Sequence, residues 1–170
     1  MGDEISEGHA RMNLAWLLSR RGKDTDALLQ HERALSLYRL CGNEYAEARA
    51  LNALGEKLAV MDRASEAVPF CSSALEVMER LGDTQGIAIV LDSLGYAHYR
   101  LGSFAEAVSL YERALPLREE GGDRHSIAVL HDGLGDASRR LVIVFWRARP
   151  GAERWKSWKA CRIRTRQTCA

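Results

Sequence analysis

The chain has 170 residues, 24 Lys and Arg against 23 Asp and Glu, and a formal net charge of +1. With 46% hydrophobic and 28% charged residues and only 3 Pro, it can bury a core, which excludes a disordered chain, a collagen-like chain and a disulfide mini-protein. Cys41, Cys71, Cys161 and Cys169 form neither a CxxC pair nor a zinc spacing, and no apolar run reaches the roughly 18–20 residues of a membrane span.

The start, Met1-Gly2-Asp3-Glu4, is acidic and opens no signal peptide, so a reduced, cytoplasmic protein is expected. The near neutrality hides a division. Residues 1–140 hold 16 basic and 22 acidic side chains, a balance of −6, whereas residues 141–170 hold 8 and 1, a balance of +7.

Taken in order, the chain repeats itself at a spacing of 40. Leu54-Gly55, Leu94-Gly95 and Leu134-Gly135 are in register, with Leu14-Ala15 one unit earlier. Ala27, Ala67 and Ala107 match, as do Ala34-Leu35, Ala74-Leu75 and Ala114-Leu115. Gly-Asp or Gly-Asn recurs at Gly2, Gly42, Gly82 and Gly122, while Gly22 and Gly102 flank Asp62.

Each unit reads as two helices. The first starts at the recurring Asp or Asn, whose side chain can accept from free amides. Apolar residues then fall at helical spacing, as in Ile87, Val90, Leu91, Leu94, Ala97 and Leu101, up to the turn at Gly102. Ser103 to Glu106 predicts a capping box for the second helix, which ends at Gly121-Gly122. Pro116 within it predicts a kink or a weakened hydrogen-bond ladder. Glycine in mid-helix costs about 1 kcal/mol relative to Ala, so Gly55, Gly95 and Gly135 predict a second helix passing too close for a Cβ. His31, Cys71 and Tyr111 would fill the space between the small residues.

Leu-Gly in the first helix, a Gly turn, then Ala, a large residue and Ala-Leu resemble the tetratricopeptide repeat, in a long-period form similar to the repeat regions of actinobacterial signal-transduction and transcription regulators. The resemblance covers residues 2–140. It implies an all-α, right-handed α-solenoid of about 3.5 helix-turn-helix repeats, with units at about 2–41, 42–81, 82–121 and an incomplete 122–140. It also implies a concave groove, lined by the first helices, that binds peptides or proteins without catalysis. With the start falling on a Gly-Asp junction, the chain reads as a fragment of a larger bacterial regulator.

The repeat layout puts Trp16, Arg49, Asn52, Glu56, Asp92, Tyr96, Tyr99, Asp132 and Asp136 on that face as partner-binding candidates, beside Met12, Ile89 and Val129. Such a row suits an extended peptide or a helix, with aromatics and Arg as anchors. Simple solvation, or packing on a neighbouring domain, is the plain alternative. The basic clamp that some family members use for chaperone tails is unmatched, since 12, 52 and 92 are Met, Asn and Asp.

No Walker A loop, HExxH, GxSxG or paired-Cys site occurs, and no catalytic residue, cofactor or metal is expected. The five His are scattered, and Gly133-Leu134-Gly135 follows no strand, so the repeat accounts for it better than a dinucleotide loop does.

Register fails after Leu141. Residues 141–170 hold three of the four Trp and read as an aberrant basic tail. Three readings fit: a nucleic-acid arm, in which Lys and Arg neutralise phosphates and Trp stacks on bases; an interfacial membrane tail; or a frameshifted remnant of the last repeat helix. The genetic code favours the third. One base upstream, Phe145-Trp146 forces Leu, slot 147 allows only Ala or Glu, and slots 156 and 159 are forced to Glu, in line with Glu76 and Glu79. The first-helix stretch at about 124–140 then lacks its partner, leaving an apolar end open to self-association. The functional expectation is a non-catalytic interaction module, the alternative a nucleic-acid binder using its tail.

Overall fold

The computed structural model describes residues 2–148. Within them the chain is all-α, seven helices without a strand: α1 (Gly2–Arg20), α2 (Asp24–Leu40), α3 (Glu44–Val60), α4 (Ala64–Leu81), α5 (Thr84–Arg100), α6 (Phe104–Gly121) and α7 (Arg124–Ala148). Each helix packs on the next, and α3, α5 and α7 also touch in sequence, the arrangement of a helical-repeat solenoid.

The turns explain the periodicity. Gly22, Gly42, Gly82, Gly102 and Gly122 all take φ between 65° and 78°, and Asp62 alone among non-glycines in the described chain takes a positive φ, 62°. These left-handed residues end one helix and release the next. At slot 142 the series fails. Val142 is β-branched and poorly suited to that conformation, so α7 continues to Ala148 instead of turning. Helix α7 thus continues past the change of pattern at 141 and carries four residues running Val142 to Phe145 with large apolar exposure. The rest of the tail lies outside the described residues.

Small residues form the seams. Ala27, Ala34, Ala67, Ala74, Ala107 and Ala114 are fully buried, with Tyr38, Leu54, Met78, Leu91 and Leu130 as the large groups of the core. A Cβ on Gly55 would collide with Cys71 Sγ and stand 3.1 Å from the Ala67 carbonyl; one on Gly95 would stand 2.8 Å from the Tyr111 ring. Gly135 departs from this expectation: nothing lies within 4 Å of it, because no second helix covers α7 there.

One local expectation is also corrected. Ser103 is the N-cap residue of α6, but its ψ of 66° leaves the hydroxyl without a capping bond, so no capping box forms. Helix α6 runs unbroken through Pro116, as α4 does through Pro69. Asn43 does cap α3, accepting from the Ala46 amide at 3.1 Å, and Asp123 accepts from the amides of His125 and Ser126.

Candidate functional site

Residues of the odd-numbered helices line a row of depressions on the face where the repeat layout expects the concave wall. At one end α1 and α3 frame a depression of about 340 Å³ holding Trp16, Arg49, Glu56 and His31. Arg20 stacks over the Trp16 ring at 5.1 Å, so the one tryptophan of the repeat array already holds a cation. His31, buried against Met12 Sδ at 3.3 Å, has its pKa pulled down to about 4 by lost hydration and the nearby Lys57 ammonium.

Between α1, α3 and α5 lies a second depression of about 270 Å³, with Met12, Met78, Ile89 and Val90 as apolar walls and Arg49 and Asn52 as polar ones. Asn52 is 7% exposed, and its Oδ1 has no hydrogen-bond partner among the described residues.

The far end, between α3, α5, α6 and α7, is about 400 Å³ and lined by Glu56, Asp92, Tyr96, Tyr111, Asp132 and Asp136. Burial pushes the Asp92 carboxyl up to about 6, opposed by Arg118 and reinforced by Glu56. Glu56, open on one side to the concave wall, is also raised by lost hydration. Cys71, under this wall, is raised to about 12 by burial and by Glu56, which leaves it an inert thiol. Among the described residues no group of three or more His, Cys, Asp or Glu is arranged to hold a metal ion.

The expected residues separate accordingly. Trp16, Arg49, Asn52, Glu56, Asp92, Tyr96, Asp132 and Asp136 line these depressions. Tyr99 meets Phe104 edge-on at 5.7 Å beside the turn between α5 and α6, and lies near enough to Tyr111 to help raise its pKa. Tyr111, expected from its repeat position to fill the space between small residues, also reaches the wall from α6. It can do so because Gly133 faces it, where a Cβ would stand 3.1 Å from the ring. The signal was the small residue at 133. It lies within helix α7, which also removes any loop reading of Gly133-Leu134-Gly135.

Two family models described as tetratricopeptide repeat match the chain, at residues 46–120 and 8–40. These two stretches are tetratricopeptide-repeat sequence. No curated protein matches it.

Among solved structures, it is similar to BtubC (BKLC) from P. vanneervenii, with a TM-score of 0.69 and 23% identity over 94% of this chain. It spans 62% of the length of BtubC. A tpr-like protein from Chlorobium tepidum gives 0.67 and 19% identity, covering 80% of this chain and 97% of that one. A putative kinesin light chain from Podospora anserina gives 0.69 and 14%, covering 78% and 65%. At these identities the likeness is one of fold.

Tetratricopeptide repeats generally mediate protein–protein interaction and are typically non-catalytic scaffolds. No described helix is long and apolar enough to cross a membrane.

Proposed function

We infer that the concave wall is a non-catalytic docking groove for an extended peptide or protein segment. The observation that carries this reading is Asn52. Its buried Oδ1 is unpartnered at the base of an apolar depression. A buried acceptor left unpaired costs about 1–3 kcal/mol, and the backbone N–H of an extended chain lying along α3 would recover it.

Arg49 beside it, and Trp16 one turn farther along the groove, supply the anchor types common at interfaces. The array occupies most of the chain and serves, in this reading, as the regulatory module of a larger cytoplasmic bacterial regulator, as the family resemblance suggests.

Residues 141–170 are, in the same reading, a frameshifted continuation of the fourth repeat rather than a nucleic-acid arm. The DNA across codons 138–143 tests that: a stop codon in the upstream frame, or no second-helix sequence there, sinks it. The open end at α7 would then associate with a second copy.

The groove itself is tested by panning a random peptide library on the full chain and measuring the recovered peptides against Asn52→Ala. Affinity is expected to fall about tenfold with helicity unchanged. Binders indifferent to substitutions at both Asn52 and Arg49, or binding that is lost only with salt and with the tail removed, would place recognition elsewhere.

A further inference from the structure

We propose that the depression between α3, α5, α6 and α7 is a receptor for a guanidinium group, the side chain of an arginine in the docked partner. The proposal rests on the groove reading above and names the chemistry of one of its positions.

Glu56, Asp92 and Asp132 come from three different helices and face the same space of about 400 Å³. None of them is in an ion pair of the described chain: Lys57, next to Glu56, turns away to Asp24 at 2.9 Å. The fourth carboxylate, Asp136, is held by Arg139, and the Tyr96 hydroxyl accepts from Arg100 at 2.7 Å. Arg118 approaches Asp92 electrostatically without pairing with it. The space thus keeps an excess of acceptors and negative charge.

Tyr111 supplies an independent observation. It is 3% exposed, its ring is threaded between Gly95 and Gly133, and its hydroxyl has no hydrogen-bond partner among the described residues. The hydroxyl of this largely buried side chain, on the lining of an acid-lined space and flanked by two glycines, is a polar group open to a ligand. The phenol keeps its proton, since burial and the carboxylates of Asp92 and Asp136 raise its pKa.

Acceptors on three sides suit a guanidinium better than an ammonium. Five N–H groups fan out in a plane and reach separate acceptors. On the lining of the same depression Arg100 lies over the Tyr96 ring at 5.6 Å, so a guanidinium of this chain already packs against this wall.

The test is an NMR titration of the full chain with three capped pentapeptides, acetyl-Gly-Gly-Xaa-Gly-Gly-amide, with Xaa arginine, lysine or citrulline. The arginine peptide is expected to shift the amides around Asp92, Asp132 and Gly133. Asp92→Asn should weaken it about tenfold, and Tyr111→Phe, which keeps the ring, about threefold. The citrulline peptide, equal in shape and uncharged, should leave those amides unmoved.

Equal binding of citrulline or of lysine overturns the guanidinium assignment, as does displacement of the arginine peptide by millimolar Ca²⁺ or Mg²⁺. If library peptides bind at Asn52 and Arg49 but ignore Asp92→Asn, and the arginine peptide shifts nothing, this proposal falls while the groove reading stands. If no peptide binds anywhere on the concave wall, both fall.

Discussion

Gly55 and Gly135 occupy the same place in two repeats, and the chain treats them in opposite ways. Over Gly55 lie Cys71 Sγ, the Ala67 carbonyl and the Cys71 amide, so α4 presses on α3 with no room for a Cβ. Over Gly135 lies nothing within 4 Å, and the residue is exposed. A residue type read from a repeat is a statement about a neighbour, and it holds only where that neighbour is present. The closed middle and the open end therefore respond differently to the same substitution. Gly55→Ala is expected to cost about 3 kcal/mol, because the obstacle includes backbone that cannot move aside. Urea unfolding followed by helicity measures it; an unchanged midpoint would mean that α4 can lift off α3 freely.

The next effect separates the same two regions by pH. His31, packed in the closed half, has a folded pKa of about 4, below its ordinary value of 6.5. The unfolded chain therefore binds a proton before the folded one does. Stability is full above pH 6.5 and falls as the pH drops towards 4, by about 2 kcal/mol once the ring's access to the groove is allowed for.

Asp92, at the open end beside Glu56, Arg118 and Tyr111, has the opposite sign. Its folded pKa of about 6 lies above the ordinary 3.8, so the folded chain binds the extra proton. Its contribution is full below pH 3.8 and is lost as the pH rises through 6. His31→Gln should thus flatten the acid-side loss, and Asp92→Asn should deepen it between pH 6 and 4. Chemical denaturation at a series of pH values distinguishes them; parallel curves for the two variants would show that neither group is as dry as its packing indicates.

How much of this could be read from the chain depends on which neighbour each residue needed. The seams of Ala27, Ala67 and Ala107, and the glycine turns, are legible because each is repeated and each repeat meets the same surroundings. The edge-on contact of Tyr99 with Phe104 is not legible, because helical spacing alone does not show which ring across a turn a side chain meets. Tyr111 shares its column with the core residues His31 and Cys71, and only the glycine at 133, where earlier repeats carry Asn13, Ala53 and Ser93, hints that its ring passes through to the wall. The orphan oxygen of Asn52 is a fact of packing with no trace in the order of residues.

At the open end the prediction reverses sign. Gly135→Ala meets no atom, so only the helix preference remains, a gain of about 1 kcal/mol. A loss there would show that something covers α7 in solution. The substitution then becomes a detector for the second copy proposed to sit on that end, because the loss should appear only at concentrations where sedimentation finds a dimer.

The smallest effect concerns the turn that the open end lacks. Asp62 holds a φ of 62° in a slot where Gly22 and Gly102 hold 72° and 78°. A left-handed conformation costs an aspartate about 1 kcal/mol, which glycine avoids. Asp62→Gly also removes an ion pair with Arg100, but the carboxylate side chain is 81% exposed, and such pairs contribute a fraction of a kcal/mol. Glycine further loosens the unfolded chain by a similar fraction. The balance is a gain of roughly 0.5 kcal/mol or less, readable as a small rise in the urea midpoint at constant slope. A clear loss instead would mean that the Arg100 contact, which bridges from α5 back to the α3–α4 turn, outweighs the backbone cost. The cohesion of adjacent repeats would then lie partly in these rim contacts, and α7, which has no such turn after it at slot 142, would be held less firmly than its buried Leu130 and Ala137 alone suggest.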